Sequence, residues 1–221
     1  MADAVPNLDP FSTKFTEFAE GEFLEIGAAY GYATLKALEN GASVTANDID
    51  ERHLQQLIEN AHQKGYTKLT TSLGSFPSEL NYQENQFSKI LISRVLHFYT
   101  GEKMLELLKV LKSWLQPKGS LYIVCETNHL SNWKAFFPEY QRRLDAGLKY
   151  PGEVYNPQQW EEGWSDNIPE FIHLVDLPVL KQLVIEAGFK IVEADYIDRK
   201  GQFPESLLLD GRESVGVIAE K

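Results

Sequence analysis

The chain has 221 residues, 43% hydrophobic and 24% charged, which suffices for one domain with a buried core and excludes disordered or collagen-like classes. Its net charge of −11 leaves little to gain from counterion release, so nucleic acid is not an expected partner. The single cysteine, Cys125, excludes an internal disulfide; it follows the apolar run 121–124 and reads as a small core hydrophobe. No apolar run approaches a membrane span, and residues 1–9 lack the basic start and apolar stretch of a secretory signal. The expectation is a soluble, cytoplasmic protein with no membrane partner.

In chain order, Phe23-Leu24-Glu25-Ile26 is an apolar run that carries one acid and meets a small-residue loop, Gly27-Ala28-Ala29-Tyr30-Gly31. Residues 32–40 read as a helix, and 43–47 as a second strand that ends at Asp48. The unit is strand–turn–helix–strand with a carboxylate near each strand tip. Asp50 can cap a helix over 51–64, with Leu54, Leu57, Ile58 and Ala61 at helical spacing and Gly65 at its end. Residues 69–73 are a third strand and 87–93 a fourth, whose unbroken Ile90-Leu91-Ile92 suits a strand covered on both faces. Thr100 can cap a helix running to Leu115, Pro117 and Gly119 mark the turn out of it, and 121–125 is a fifth strand. This alternation predicts a doubly wound parallel α/β sheet.

From 126 to 172 the pattern breaks into an irregular stretch rich in rings, among them Trp133, Phe136, Phe137, Tyr140, Tyr150, Tyr155, Trp160, Trp164 and Phe171. It reads as an inserted lid or substrate-binding subregion, or as a small helical unit with its own aromatic core. Asp176 then caps a helix through Ala187, and 189–196 and 214–220 read as closing strands. The link 197–213 is too long for a tight hairpin and suits a second flap.

In an open parallel sheet, ligands bind beyond the carboxyl ends of the strands where strand order reverses, which is where the 27–31 turn would lie. A dinucleotide-binding turn would need a third glycine at position 32, and that residue is Tyr32. The spacing Gly27-x-Ala29-x-Gly31 after Glu25 instead resembles the first motif of the class I S-adenosylmethionine-dependent methyltransferases. The resemblance runs in order over most of the chain. It implies a Rossmann-like doubly wound sheet of about seven strands, mostly parallel with an antiparallel last strand, and helices on both faces. It implies S-adenosylmethionine as cofactor and S-adenosylhomocysteine as product. Asp48 matches the acid that accepts from both ribose hydroxyls, Ile49 the apolar residue against the adenine, and Ser75-Phe76 the loop after strand 3. Ser93 and Arg94, followed by His97, match the segment bordering the methyl-transfer site. Ala187-Gly188-Phe189 resembles the family's late helix–turn–strand. Two departures stand out: Ala29 replaces the middle glycine, and Glu25 the frequent aspartate.

In such an enzyme the cofactor carries the hard chemistry and the protein aligns the reactants. The five histidines, His53, His62, His97, His129 and His173, are scattered without metal-ligand spacing, so no metal is expected. If the acceptor must lose a proton, His97, Glu126 and His129, which follow strands 4 and 5, are the candidate bases. The reading is methyl transfer to a small-molecule acceptor, with the acceptor atom (O, N or C) and the oligomeric state left open. The alternatives are an NAD-dependent oxidoreductase and a catalytically inactive S-adenosylmethionine-binding regulatory protein.

Overall fold

The computed structural model describes residues 7–17, 19–160 and 169–221. It opens with a helix that the sequence reading missed, α1 (Pro10–Thr16). The Asp9 carboxylate caps it by accepting from the N–H groups of Phe11 and Ser12, and Pro10 sits in the first turn, where a missing N–H costs nothing. There follow β1 (Glu22–Ile26), α2 (Tyr32–Glu39), β2 (Ser43–Asp48), α3 (Glu51–Gln63), β3 (Leu69–Leu73), β4 (Phe87–Ser93), α4 (Gly101–Trp114) and β5 (Leu115–Glu126). The remainder is α5 (Phe137–Asp145), β6 (Glu153–Tyr155), β7 (Phe171–His173), α6 (Leu177–Glu186), β8 (Lys190–Ile197) and β9 (Ser214–Glu220). The anticipated caps are made: Asp50 accepts from Arg52, Thr100 from Lys103 and Asp176 from Leu177.

Seven strands form one sheet in the order β3-β2-β1-β4-β5-β9-β8. β1 through β5 pair in parallel, and β9 lies antiparallel to both β5 and β8. This is the Rossmann-like doubly wound α/β sheet. The chain steps outward from β1 to β3 and returns to β4 on the other side of β1, so strand order reverses between the tips of β1 and β4. Alternating residues serve the two faces. Leu24, Ile26, Ile90, Ile92, Leu121 and Ile123 pack with α4 and α6, while Phe23, Leu91, Tyr122 and Val124 pack with α1 and α2. Cys125 is fully buried in the first of these layers, and burial pushes its thiol pKa up, as suits an inert core residue.

Two local readings change. Pro117 and Gly119 do not end the pairing: β5 begins at Leu115, opposite Phe87, and the register shifts before Lys89 meets Ser120, with Lys118 in the left-handed region at φ 65°. In the 126–172 insert, Leu130, Trp133, Phe136, Tyr140, Val154 and Ile172 form a separate apolar cluster that Trp160 joins. Phe203 and Leu207, from the link between β8 and β9, pack on the same cluster. The β6/β7 hairpin is fastened to the sheet layer: Gly101 N–H donates to Glu153 at 2.8 Å and Val175 N–H to the Glu126 carbonyl at 2.9 Å. A Cβ on Gly101 would run into the Tyr150 ring, so that glycine is the seat of the insert. Trp164 lies outside the described residues.

Candidate functional site

The turn after β1 is wound through the left-handed region three times, at Gly27 (φ 69°), Ala29 (φ 48°) and Gly31 (φ 72°). Glycine is needed at both ends, since a Cβ on Gly27 would meet Val95 and one on Gly31 would meet Leu57. Ala29 bears the strain of that conformation, and its N–H donates to Asp48 Oδ2 at 2.7 Å. Glu25 is 6% exposed, and its Oε2 accepts from the N–H and hydroxyl of Thr34 in the first turn of α2. Burial raises its pKa from 4.5 to about 7; the two Thr34 bonds oppose the rise and the Asp48 charge adds to it.

Asp48, at the tip of β2, is also buried, and its Oδ1 accepts from Asp50 N–H at 2.9 Å with His53 Nδ1 at 3.3 Å. Neighbouring Asn47 ties the tips of β2 and β3 together by donating to the carbonyls of Ser72 and Gly74. Ile49 stands 75% exposed beside them, an apolar side chain with no cover. In the loop after β3, Ser75 N–H donates to Glu79. Phe76 is 5% exposed, and its ring packs edge-on against Trp114. The loop is held by Tyr99, whose hydroxyl donates to the Phe76 carbonyl.

Across the crevice, Ser93 ends β4 and Arg94 follows at φ 59°, a strained position for a non-glycine residue. Arg94 Nε donates to Glu126 Oε1 at 2.7 Å, joining the tips of β4 and β5. Burial works to raise the Glu126 pKa, but Arg94 and the nearby His97 outweigh it and hold the carboxyl below its usual range. His97 is 4% exposed, its Nδ1 has no hydrogen-bond partner, and burial lowers its pKa to about 4. His129 lies apart from that group, between the rings of Phe137 and Tyr196, with Nδ1 3.6 Å from Asp210 Oδ2. Burial and then Arg212 lower its pKa. The structure therefore gathers Glu25, the 27–31 turn, Asp48 and Ile49 at the β1 and β2 tips. It gathers Arg94, His97 and Glu126 at the β4 and β5 tips. Among the described residues no cluster of three or more His, Cys, Asp or Glu is arranged to hold a metal ion.

Residues 23–119 match the family model described as a methyltransferase domain, a span that contains both tip clusters up to His97. By that match the 23–119 span is similar to methyltransferase domains. The fold of the chain is that of a Methanosarcina mazei S-adenosylmethionine-dependent methyltransferase (TM-score 0.68, 20% identity, covering 97% of this chain and 98% of that one). It is likewise similar to the CcbJ methyltransferase of Streptomyces caelestis (TM-score 0.64, 15% identity, 95% and 93% covered). A third similar structure is the 1,6-didemethyltoxoflavin-N1-methyltransferase of Burkholderia thailandensis, with bound 1,6-didemethyltoxoflavin and S-adenosylhomocysteine (TM-score 0.65, 18% identity, 99% and 78% covered). No curated protein matches this chain by sequence.

Sequence reasoning missed several residues around this candidate site. Thr34 was implied, because a carboxylate inside an apolar strand needs a donor close by in the fold. His53, Asp210 and His173 carried no such signal. His173 is fully buried on β7, and burial lowers its pKa to about 4 against an opposing contact with the Tyr99 backbone. Arg199, on the link after β8, is 4% exposed and pairs with Asp9 at 3.6 Å. The guanidinium groups of Arg199 and Arg94 both lie against Phe203, 5.1 and 5.3 Å from its ring centre.

Proposed function

We propose that this chain is an S-adenosylmethionine-dependent methyltransferase that acts on a small-molecule acceptor held between the β4 and β5 tips and the aromatic insert. Enclosure carries the reading: the side chains of Glu126 and His129 are 14% and 12% exposed, and His97 is 4% exposed. A site so closed suits a compact acceptor better than a nucleic acid or a protein segment, and the net charge of −11 adds to the case against nucleic acid.

Bound S-adenosylmethionine supplies an electrophilic methyl group on a sulfonium. On this reading Glu25 receives the cationic amino group of the methionine tail, and Asp48 accepts from the ribose. Ile49 offers its exposed face to the adenine, Ser75 borders it, and the left-handed backbone at Gly27, Ala29 and Gly31 allows close approach. Ser93 and Arg94 border the reacting end, where the Arg94–Glu126 pair fixes the gap between the strands. Of the three candidate bases, Glu126 is engaged with Arg94, whereas His97 is held neutral by burial and keeps Nδ1 without a hydrogen-bond partner. The insert excludes water and orients the acceptor.

Two experiments test the reading. Calorimetry should show S-adenosylhomocysteine binding and no NAD binding; the reverse would reject the cofactor assignment. Incubation of a metabolite extract with labelled S-adenosylmethionine should then place label in small molecules. Label confined to protein or RNA would overturn the acceptor class, and binding without transfer across a broad panel would favour a regulatory protein.

A further inference from the structure

Asp48 is asked to hold two ribose hydroxyls, yet it is already well supplied with donors. A carboxylate offers about four lone-pair sites. Ala29 N–H takes one on Oδ2, Asp50 N–H takes one on Oδ1, and His53 Nδ1 lies 3.3 Å from Oδ1. The two backbone donors belong to the turns that build the site and cannot leave without unwinding them. With His53 in place, one lone pair remains for a diol that brings two donors. The His53 contact is also the longest of the three. Its ring packs edge-on against Tyr30, 4.7 Å between centres, so the pair bridges the 27–31 turn and the first turn of α3 over Asp48. α3 itself is anchored by buried Leu54, Leu57 and Ala61, whereas the His53 side chain is 30% exposed and the Tyr30 residue 49%. The imidazole can therefore turn out about its own side-chain bonds while the helix stays in place.

We infer that His53 is a built-in competitor for the ribose diol: with Nδ1 protonated it occupies one acceptor position of Asp48 in the free protein, and nucleoside binding displaces it from Asp48 and from Tyr30. The inference rests on the placing of the cofactor at Asp48 and adds to it a residue outside the family motif. It assigns His53 as a residue that withholds one acceptor position of Asp48 until the ligand arrives.

The probe is S-adenosylhomocysteine, with adenosine and 2′,3′-dideoxyadenosine as the pair that separates the diol from the rest. His53→Ala should tighten S-adenosylhomocysteine and adenosine by roughly three- to tenfold in calorimetry, which is what one net hydrogen bond is worth. It should leave 2′,3′-dideoxyadenosine unchanged. In the wild-type protein the His53 ring signal, assigned by its loss in His53→Ala, should shift on ligand addition as the Tyr30 ring current is removed. Weaker binding in the variant would mean that His53 touches the ligand directly, and equal binding would mean that it does not compete; either overturns the inference. A wild-type protein that binds no S-adenosylhomocysteine would refute the cofactor site itself, a separately readable failure.

Discussion

Glu25 gives the sharpest test of the site, because its burial has a pH signature. Its pKa stands at about 7 in the fold against 4.5 in the open chain, with burial as the leading cause. A displacement of that size is worth about 3 kcal/mol. For a carboxyl whose folded pKa is raised, the contribution is fully present below pH 4.5. It is lost as pH climbs from 4.5 to about 7, where the unfolded chain releases a proton that the fold keeps. His97 and His173 work in the opposite sense over much the same window, since burial lowers both to about 4 and acid favours their unfolded forms. The wild-type profile alone is therefore uninformative, and the difference from Glu25→Gln isolates the carboxyl. In urea denaturation the stability of Glu25→Gln relative to wild type should rise between pH 4.5 and pH 8 by up to about 3 kcal/mol and then level off. The Gln carbonyl still accepts from Thr34, so the fold is kept. The same variant should lose the rise in S-adenosylhomocysteine affinity that wild type gains as pH passes 7 and the carboxylate forms to meet the ligand's ammonium group. Parallel stability profiles for the two proteins would refute the claim that Glu25 is protonated in the neutral range.

Asp48→Ala should weaken S-adenosylhomocysteine binding by roughly 1.5–3 kcal/mol, the range for hydrogen bonds to a charged group, as read by calorimetry. Gly101→Ala should destabilise the fold by roughly 1–3 kcal/mol through collision with Tyr150, and Tyr150→Ala in the same chain should recover part of the loss in a double-mutant cycle. His173→Phe removes a group that acid must charge, so its stability relative to wild type should rise as pH falls from 6.5 toward 4, by up to about 3 kcal/mol in urea titrations.

Most of the sheet was legible because its signals are local. The runs at 69–73, 87–93 and 214–220 are apolar or β-branched segments between turn residues, and each became a strand with those bounds. The caps Asp50, Thr100 and Asp176 were legible for the same reason. The Asp9-Pro10 pair carried an equally local signal for α1 and was overlooked. What the sequence did not carry was anything settled by contacts distant along the chain. Phe76 follows a strand tip, and its ring packs against Trp114, 38 positions on. Pro117 and Gly119 look like a turn, and only the register against β4 turns them into an irregular strand. At the site, Glu25 and Asp48 announced themselves as acids at strand tips. His53, Thr34 and Asp210 did not, because each gains its meaning from a partner that the fold supplies.

The Asp9–Arg199 pair has a bearing on how far this chain can be shortened from its amino end. A version beginning at Phe23, where the family match starts, would shed α1 together with Asp9 and keep Arg199. Arg199, 4% exposed, would then keep its charge inside the protein without its counter-ion, a loss that in comparable buried pairs costs about 3–5 kcal/mol. The damage would surface far from the cut, because Arg199 also steadies Phe203 against Arg94 at the tip of β4. The amino-terminal helix thus braces, through Arg199 and Phe203, a strand tip that it does not itself touch through Asp9.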